Sequence, residues 1–238
     1  MTTIMKDGTL VSDTRLGRLV NFDDRSREFP IRAMVGGKAP RAYSWRCHLR
    51  LDQGYEGMCP GTGVSHELAA RPSEVSGLDI KFAREKIYWE AQKIDPWPGG
   101  AYPGASPRYE GSSVLAAIKA AQRLGYFDSY RWSFSLQDLI LGVGYSGPAV
   151  MGTTWYEGMS KPDNSGIIRP TGQDAGGHCY LIDQVIPKRK LFGGLNSWGP
   201  EWGVDGRFYI SFDDMDRLLH EDGEAVFTVC RHRTPTAP

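Results

Sequence analysis

Cys59 stands between glycines in the run Gln53-Gly54-Tyr55-Glu56-Gly57-Met58-Cys59-Pro60-Gly61, six residues after a glutamine. A thiol hydrolase needs a thiolate, a base to pair with it, a group to orient that base, and donors for an oxyanion. A cysteine at the start of a helix feels the positive end of the helix dipole, which lowers its pKa. Of the five histidines, His48, His66, His178, His220 and His232, the third opens a β-like run directly after Gly176-Gly177. Eighteen residues on comes Asn196, within Leu195-Asn196-Ser197-Trp198-Gly199. Its side-chain carbonyl suits an imidazole N–H, and Trp198 can shield that bond from water. The Gln53 amide, with the Cys59 backbone N–H, suits an oxyanion hole. Singly these signals are weak, since a lone cysteine is most often a small buried hydrophobe.

The elements that must position these groups fall into two textures. Pro60 to Ala70 is compatible with a helix beginning after Cys59, because Pro fits a first helical turn, although Gly61 and Gly63 weaken it. Ile80, Ala83, Ile87, Ala91 and Ile94 recur at helical spacing within Leu78–Ile94. Ser112 or Ser113 can cap a helix carrying Val114, Ile118 and Ala121, and a short helix is expected over Ser135–Gly142. After Gly147 come short apolar, β-branched runs: Ala149–Tyr156, His178–Ile186, Lys190–Leu195, Arg207–Ser211 and Glu224–Cys230, with a small helix at Asp213–His220. A helical half followed by a β-rich half is the α+β arrangement, with a cleft between halves as the natural site. The expected division is 1–38 as an N-terminal extension with a loop-like end, 39–133 as the helical lobe with the nucleophile, and 134–238 as the β-rich lobe with His178 and Asn196.

Composition narrows the partners. The 28 basic and 28 acidic side chains of the 238 residues cancel, which argues against binding to nucleic acid or an anionic membrane surface. No apolar run is long enough to span a bilayer, and residues 1–7 lack the pattern of a secretion signal. Four cysteines read as reduced thiols rather than a disulfide framework, so a cytoplasmic location is expected, a host cytoplasm if the source is viral. No metal and no cofactor is expected. His66 lies two helical turns from Cys59, but zinc wants three or four ligands, and the adjacent pairs Cys47-His48 and His178-Cys179 cannot easily both serve one ion. Charges such as Glu67, Arg71 and Glu85 read as solvated helix faces.

Together the motifs resemble the papain-like cysteine peptidases. Pro40–Arg46, PRAYSWR, resembles a P-x-x-x-D-W-R segment, and Gln53–Cys59 matches the spacing from oxyanion glutamine to nucleophile. Glu110–Phe127 resembles the strand and helix lining one side of the family's cleft, and GGHCYLI is similar to its histidine strand. NSWGPEWGVDGRFYIS, from Asn196 to Ser211, is close to the specific N-S-W-G-x-x-W-G signature. The resemblance implies a two-lobed α+β fold with a β-barrel-like second lobe, and a protein or peptide substrate. It implies that Gly57, Gly111 and Ser112 present backbone groups to an extended substrate, that Cys179 borders the pocket for the second residue before the cut, and that Trp198 borders the leaving-group side. Two departures stand out. The family's first cysteine and the aromatic after the nucleophile are replaced, giving Glu56-Gly57-Met58-Cys59-Pro60, and the long inhibitory prosegment is absent. In both the chain is similar to short prokaryotic and phage-type members. The reading is a cysteine endopeptidase. Its rivals are an acyl-transfer or amide hydrolase of the same fold acting on isopeptide or cell-wall bonds, and a non-catalytic binding module that kept the cleft.

Overall fold

The computed structural model describes residues 3–229. The expected strand end at Cys230, the basic run Arg231-His232-Arg233 and with it the candidate base His232 lie outside the described residues. The chain opens with a small antiparallel hairpin, β1 (Thr3–Ile4) and β2 (Leu10–Val11), followed by a 3-10 turn at Asp24–Glu28 and α1 (Arg32–Val35). After β3 (Tyr43–Ser44) come α2 (Cys59–Ala69), α3 (Ile80–Phe82), a π-helical segment at Ala83–Tyr88, α4 (Trp89–Ile94) and α5 (Val114–Arg123). The second half holds β4 (Ser129–Ser133), α6 (Leu136–Tyr145), β5 (Ala149–Tyr156), β6 (Asp174–Ile186), β7 (Leu191–Leu195), β8 (Arg207–Ser211), α7 (Phe212–His220) and β9 (Glu224–Val229).

The helices begin where capping side chains satisfy their free N–H groups. Asp79 accepts from Phe82 N, Ser113 from Ala116 N, Ser135 from Asp138 N and Ser211 from Asp214 N. Helix α2 begins at Cys59 itself, with Pro60 in its first turn. Its glycines, which lower helix propensity, are there for close approach. A Cβ on Gly61 would lie 2.5 Å from the Ala83 carbonyl oxygen, and one on Gly63 would lie 2.7 Å from Cys179 Sγ. The helix is thereby wedged between the π-helical segment and strand β6.

All pairs in the main sheet are antiparallel, in the order β4-β9-β5-β6-β7-β8, with β3 added to the far end of β6. The sheet therefore draws on strands from both sides of residue 134. Side chains alternate across it, as they must in a pleated strand. Val150, Leu181 and Val226 face a core shared with Val64, Leu68, Ile87 and Ile118 of the helices. Met151, Tyr180, Ile182 and Phe227 face a second core with Trp155, Leu139, Phe208 and Met215. Glu67, expected on a solvated face, is buried and accepts a hydrogen bond from the Thr228 hydroxyl. Helix α2 is enclosed on all sides, so it has no solvated face on which a charge can sit.

Candidate active site

Three elements meet at the site. Cys59 is the first residue of α2, His178 lies within β6 paired to β5 through Thr153, and Asn196 directly follows β7, the neighbour of β6. Helix α2 packs against β6, and Cys59 shares a buried core with Cys179, the neighbour of His178. His178 Nε2 hydrogen-bonds Asn196 Oδ1 at 2.8 Å, and the Ser197 N–H donates to the same oxygen at 2.7 Å. Because Asn196 Oδ1 is an acceptor, the proton of a neutral His178 sits on Nε2. Nδ1 is then the basic nitrogen, and it is buried with no hydrogen-bond partner. Trp155 meets the imidazole edge-on at 4.7 Å between centroids, and Trp198 lies at 5.1 Å. These rings exclude water from the His178–Asn196 bond. Gln53 is buried, and its Nε2 donates to two carbonyl oxygens, Glu56 at 2.7 Å and Arg15 at 3.0 Å.

The second of those carbonyls belongs to a part of the chain that sequence reading treats as an extension. Residues 15–19 run through the cleft as an extended strap. The Arg18 N–H donates to Gly177 O at 3.0 Å, Leu19 N–H to Ser112 O at 2.9 Å, and Ser112 N–H to Gly17 O at 3.0 Å. The strap thus pairs as an added parallel strand with Ser112 and with Gly177, just before the histidine. Gly17 lies against the backbone of Gly57, two residues before Cys59, and its N–H is near enough to oppose the upward shift of the Cys59 thiol. A Cβ at Gly17 would stand 1.9 Å from the Gly57 carbonyl oxygen. Arg15 lays its guanidinium over the Trp198 ring, 3.9 Å from the centroid. Lys6 anchors the preceding hairpin, donating to Asp95 at 2.7 Å and to Gln92 O at 2.6 Å, with the Lys6 and Asp95 side chains fully buried. Asp95 also accepts from Ser112 Oγ.

This covering sets the protonation of the site. Burial pushes the Cys59 thiol up to about 12, against the smaller opposing effect of the Cys179 and Gly17 N–H groups. Burial likewise draws His178 down to about 4, against the Asn196 hydrogen bond and the Asp13 charge. The expectation of a helix-dipole-lowered thiol is not met in this state. The dipole acts on a group that the strap has removed from water, and desolvation of the charged form outweighs it. Burial thus favours the neutral form of both the Cys59 thiol and the His178 imidazole.

The remaining candidates divide. Ser112 pairs its backbone with the strap, and Gly111, with φ +89, has its N–H taken by the Tyr88 hydroxyl. Gly57 presents its carbonyl against Gly17 while its N–H donates to Glu110. Trp198 contacts the strap through Arg15, and Cys179 is buried under Gly63. His66 is buried with both ring nitrogens unpartnered, and burial brings it to about 3. Among the described residues no group of three or more His, Cys, Asp or Glu is placed to hold a metal ion, and no helix is long and apolar enough to cross a membrane. Cys47, Cys59 and Cys179 are free thiols. Sequence reading missed Arg15, Gly17 and Arg18. The only trace of them is the run Leu16-Gly17-Arg18-Leu19-Val20, a short β-compatible stretch in an otherwise polar segment.

No protein-family model matches this sequence, and no curated protein matches it. Solved structures do. Xylellain, a cysteine protease from Xylella fastidiosa, superposes with a TM-score of 0.66 at 15% identity, over 93% of this chain and 98% of that one. The bromelain protease from Ananas comosus, in complex with the E64 inhibitor, gives 0.55 at 13% identity, over 81% and 100%. ProCathepsin B S9 from Trypanosoma congolense gives 0.53 at 13% identity, over 93% and 88%. At such identities the likeness is one of fold, and the fold is the papain-like α+β fold.

Proposed function

We propose that this chain, which carries the papain-like fold, is a cysteine peptidase held latent by its own N-terminal segment. The observation that carries the reading is the polarity of the site: His178 Nε2 is committed to Asn196, Nδ1 is left free, and a backbone carbonyl already lies on the Gln53 amide. That carbonyl, from Arg15, occupies a position suited to the oxygen of a reacting amide. Once the strap leaves, Cys59 passes its proton to His178 Nδ1, and the thiolate attacks the substrate carbonyl carbon. Gln53 Nε2 and the Cys59 N–H, at the start of α2, receive the developing oxyanion. His178 then gives the proton to the leaving amine, and water, deprotonated by the same imidazole, releases the acyl-enzyme. Asn196 holds the ring in register throughout. The substrate is a protein or peptide laid as an added strand against Ser112 and Gly177.

The test is hydrolysis of unfolded protein and of quenched-fluorescence peptides by the full chain and by a form cut or truncated after residue 38. Cys59→Ala is expected to abolish turnover with the fold intact by circular dichroism. Turnover that survives in Cys59→Ala refutes the mechanism. Peptide activity that is equal with and without residues 1–38 refutes the latency.

A further inference from the structure

One carboxylate ties the loop before Cys59 to the strand beside it. The Gly57 N–H donates to Glu110 Oε2 at 3.1 Å, and the Tyr88 hydroxyl donates to the same oxygen at 2.8 Å. The Tyr88 oxygen in turn accepts from the Gly111 N–H at 2.8 Å and from Gln92 Nε2 at 2.9 Å. The one donor and two acceptor positions of this hydroxyl are thereby all used. Gln92 Nε2 also reaches the other side of Gly111, donating to its carbonyl oxygen at 2.9 Å. The fit is close: a Cβ on Gly57 would lie 3.1 Å from Glu110 Cβ and 3.2 Å from Gly111 N. Tyr88 is buried in a small cluster with Met58, the residue before Cys59, and a Cβ on Gly61 would lie 2.8 Å from Tyr88 Cβ. The β1–β2 hairpin holds only the backbone here, through the Lys6 N–H to Glu110 O at 2.9 Å, so the Glu110 side chain is left to Gly57 and Tyr88.

The loop has little else to fix it. Residues 53–58 form no helix or strand, and Gly54 sits at φ +60. Their upstream end is set by the Gln53 N–H, which donates to Ser197 O at 2.9 Å. Among the described residues the cysteines are free thiols, so no disulfide holds the downstream end. The nearby Arg84–Glu56 pair has side chains 29% and 41% exposed, and ion pairs so exposed contribute little. A peptide laid against Ser112 must bring its carbonyl to Cys59 and Gln53. The spacing between the two edges decides whether that carbonyl arrives in register, and a misplacement of about 1 Å can cost about 100-fold in rate.

We infer that Glu110 and Tyr88 are positioning residues for the peptidase reaction, a hydrogen-bonded clasp from Gly57 to Gly111 that sets the nucleophile loop against the strand pairing with the substrate. This rests on the peptidase reading above. Neither side chain touches the reacting atoms. A small alkylating reagent needs Cys59 alone, whereas an extended peptide needs Cys59 and Ser112 in register. Loss of the clasp therefore separates the two reactivities.

Two measurements on the full chain test the clasp. The first is amide hydrogen exchange by NMR. Glu110→Ala removes the acceptor of the Gly57 N–H, and Tyr88→Phe removes that of the Gly111 N–H while keeping the ring. Exchange at the corresponding amide is expected to rise by about 10-fold or more. Glu110→Gln, whose amide oxygen can take both bonds, is expected to reverse most of the rise at Gly57. Unchanged exchange at Gly57 in Glu110→Ala, or a glutamine variant as fast as the alanine one, overturns the clasp.

The second measurement reads register, in an Arg18→Ala background that frees the strap from its buried ion pair with Glu224 and leaves Gly57 untouched. Glu110→Ala and Tyr88→Phe are each expected to lower kcat/KM on quenched-fluorescence peptides by about 10- to 100-fold, the range for a hydrogen bond to a charged group. Acting through one network, the two together are expected to lose no more than the worse single variant. Iodoacetamide labelling of Cys59 is expected to stay within about twofold of the background. Unchanged kcat/KM, or labelling that falls in parallel with it, overturns the positioning role. Faster labelling of Cys47 and Cys179 would mark unfolding in Glu110→Ala, and Tyr88→Phe then carries the test. If Cys59 labels but no peptide is cleaved by any of these proteins, the peptidase reading fails, and hydrogen exchange alone decides whether the clasp exists.

Discussion

Gly17→Ala is expected to open the site without loosening the body of the protein. The added methyl would sit 1.9 Å from the Gly57 carbonyl oxygen, more than an ångström inside any real contact. Its opponent is backbone, with no flexible side chain to give way. Residue 17 carries no positive φ, so alanine is strained here by the collision alone. The strap must lift from Gly57, and in lifting it lengthens the bonds to Gly177, Ser112 and Gln53. Overpacking of this kind costs about 1–3 kcal/mol, which corresponds to about a 5- to 150-fold rise in the population with Cys59 uncovered. Alkylation that requires opening scales with that population. The assay is the rate of iodoacetamide labelling at Cys59 between pH 5 and 8, read by peptide mass spectrometry with Cys47 and Cys179 as controls. In the wild type the thiol is held near 12 and labelling is slow throughout this range. In the variant, water returns to the site and Cys59 alone is expected to accelerate. Parallel acceleration of all three cysteines would mean general unfolding. A Cys59 rate within about twofold of the wild type, in a protein still folded, refutes the strap as the cover.

Lys6→Met removes one partner of a fully buried pair and leaves Asp95 uncompensated, a change worth about 3–5 kcal/mol, so Cys59 labelling is expected to rise as in Gly17→Ala. An unchanged rate would show that the hairpin does not anchor the strap. Gly61→Ala improves helix propensity by about 1 kcal/mol but places a Cβ 2.5 Å from the Ala83 oxygen. A net loss of about 1–3 kcal/mol in urea unfolding is expected, and a gain would refute the wedge described for α2. Acid is expected to destabilise the fold through His178, whose folded pKa of about 4 lies below the unfolded 6.5. The unfolded chain binds more protons between those values, so stability is lost as pH falls through that window, by on the order of 3 kcal/mol. His66, at about 3, acts in the same direction. A urea midpoint that is flat from pH 7 to pH 4.5 refutes neutral burial of these rings.

What the sequence determined by itself is the local grammar. Ser113, Ser135 and Ser211 cap their helices because a short hydroxyl side chain satisfies N–H groups within its own turn. The β-branched runs of the second half became strands, and the expected hydrogen bond between His178 and Asn196 is present, each residue sitting in a short motif of its own. β4 was missed, since Ser129–Ser133 becomes a strand only by pairing with β9, nearly a hundred residues away. The strap was missed for the same reason, because residues 15–19 take their form from Ser112, Gly177 and Gln53, not from their neighbours in the chain. The burial of Glu67, the preference of Cys59 and His178 for their neutral forms, and the pairing of Arg18 with Glu224 also belong to the tertiary structure. Each depends on desolvation or on a charge more than a hundred residues distant, and neither has a local signature. Helix and strand preferences are written within a few residues, whereas the dielectric around a side chain is set by everything that packs over it.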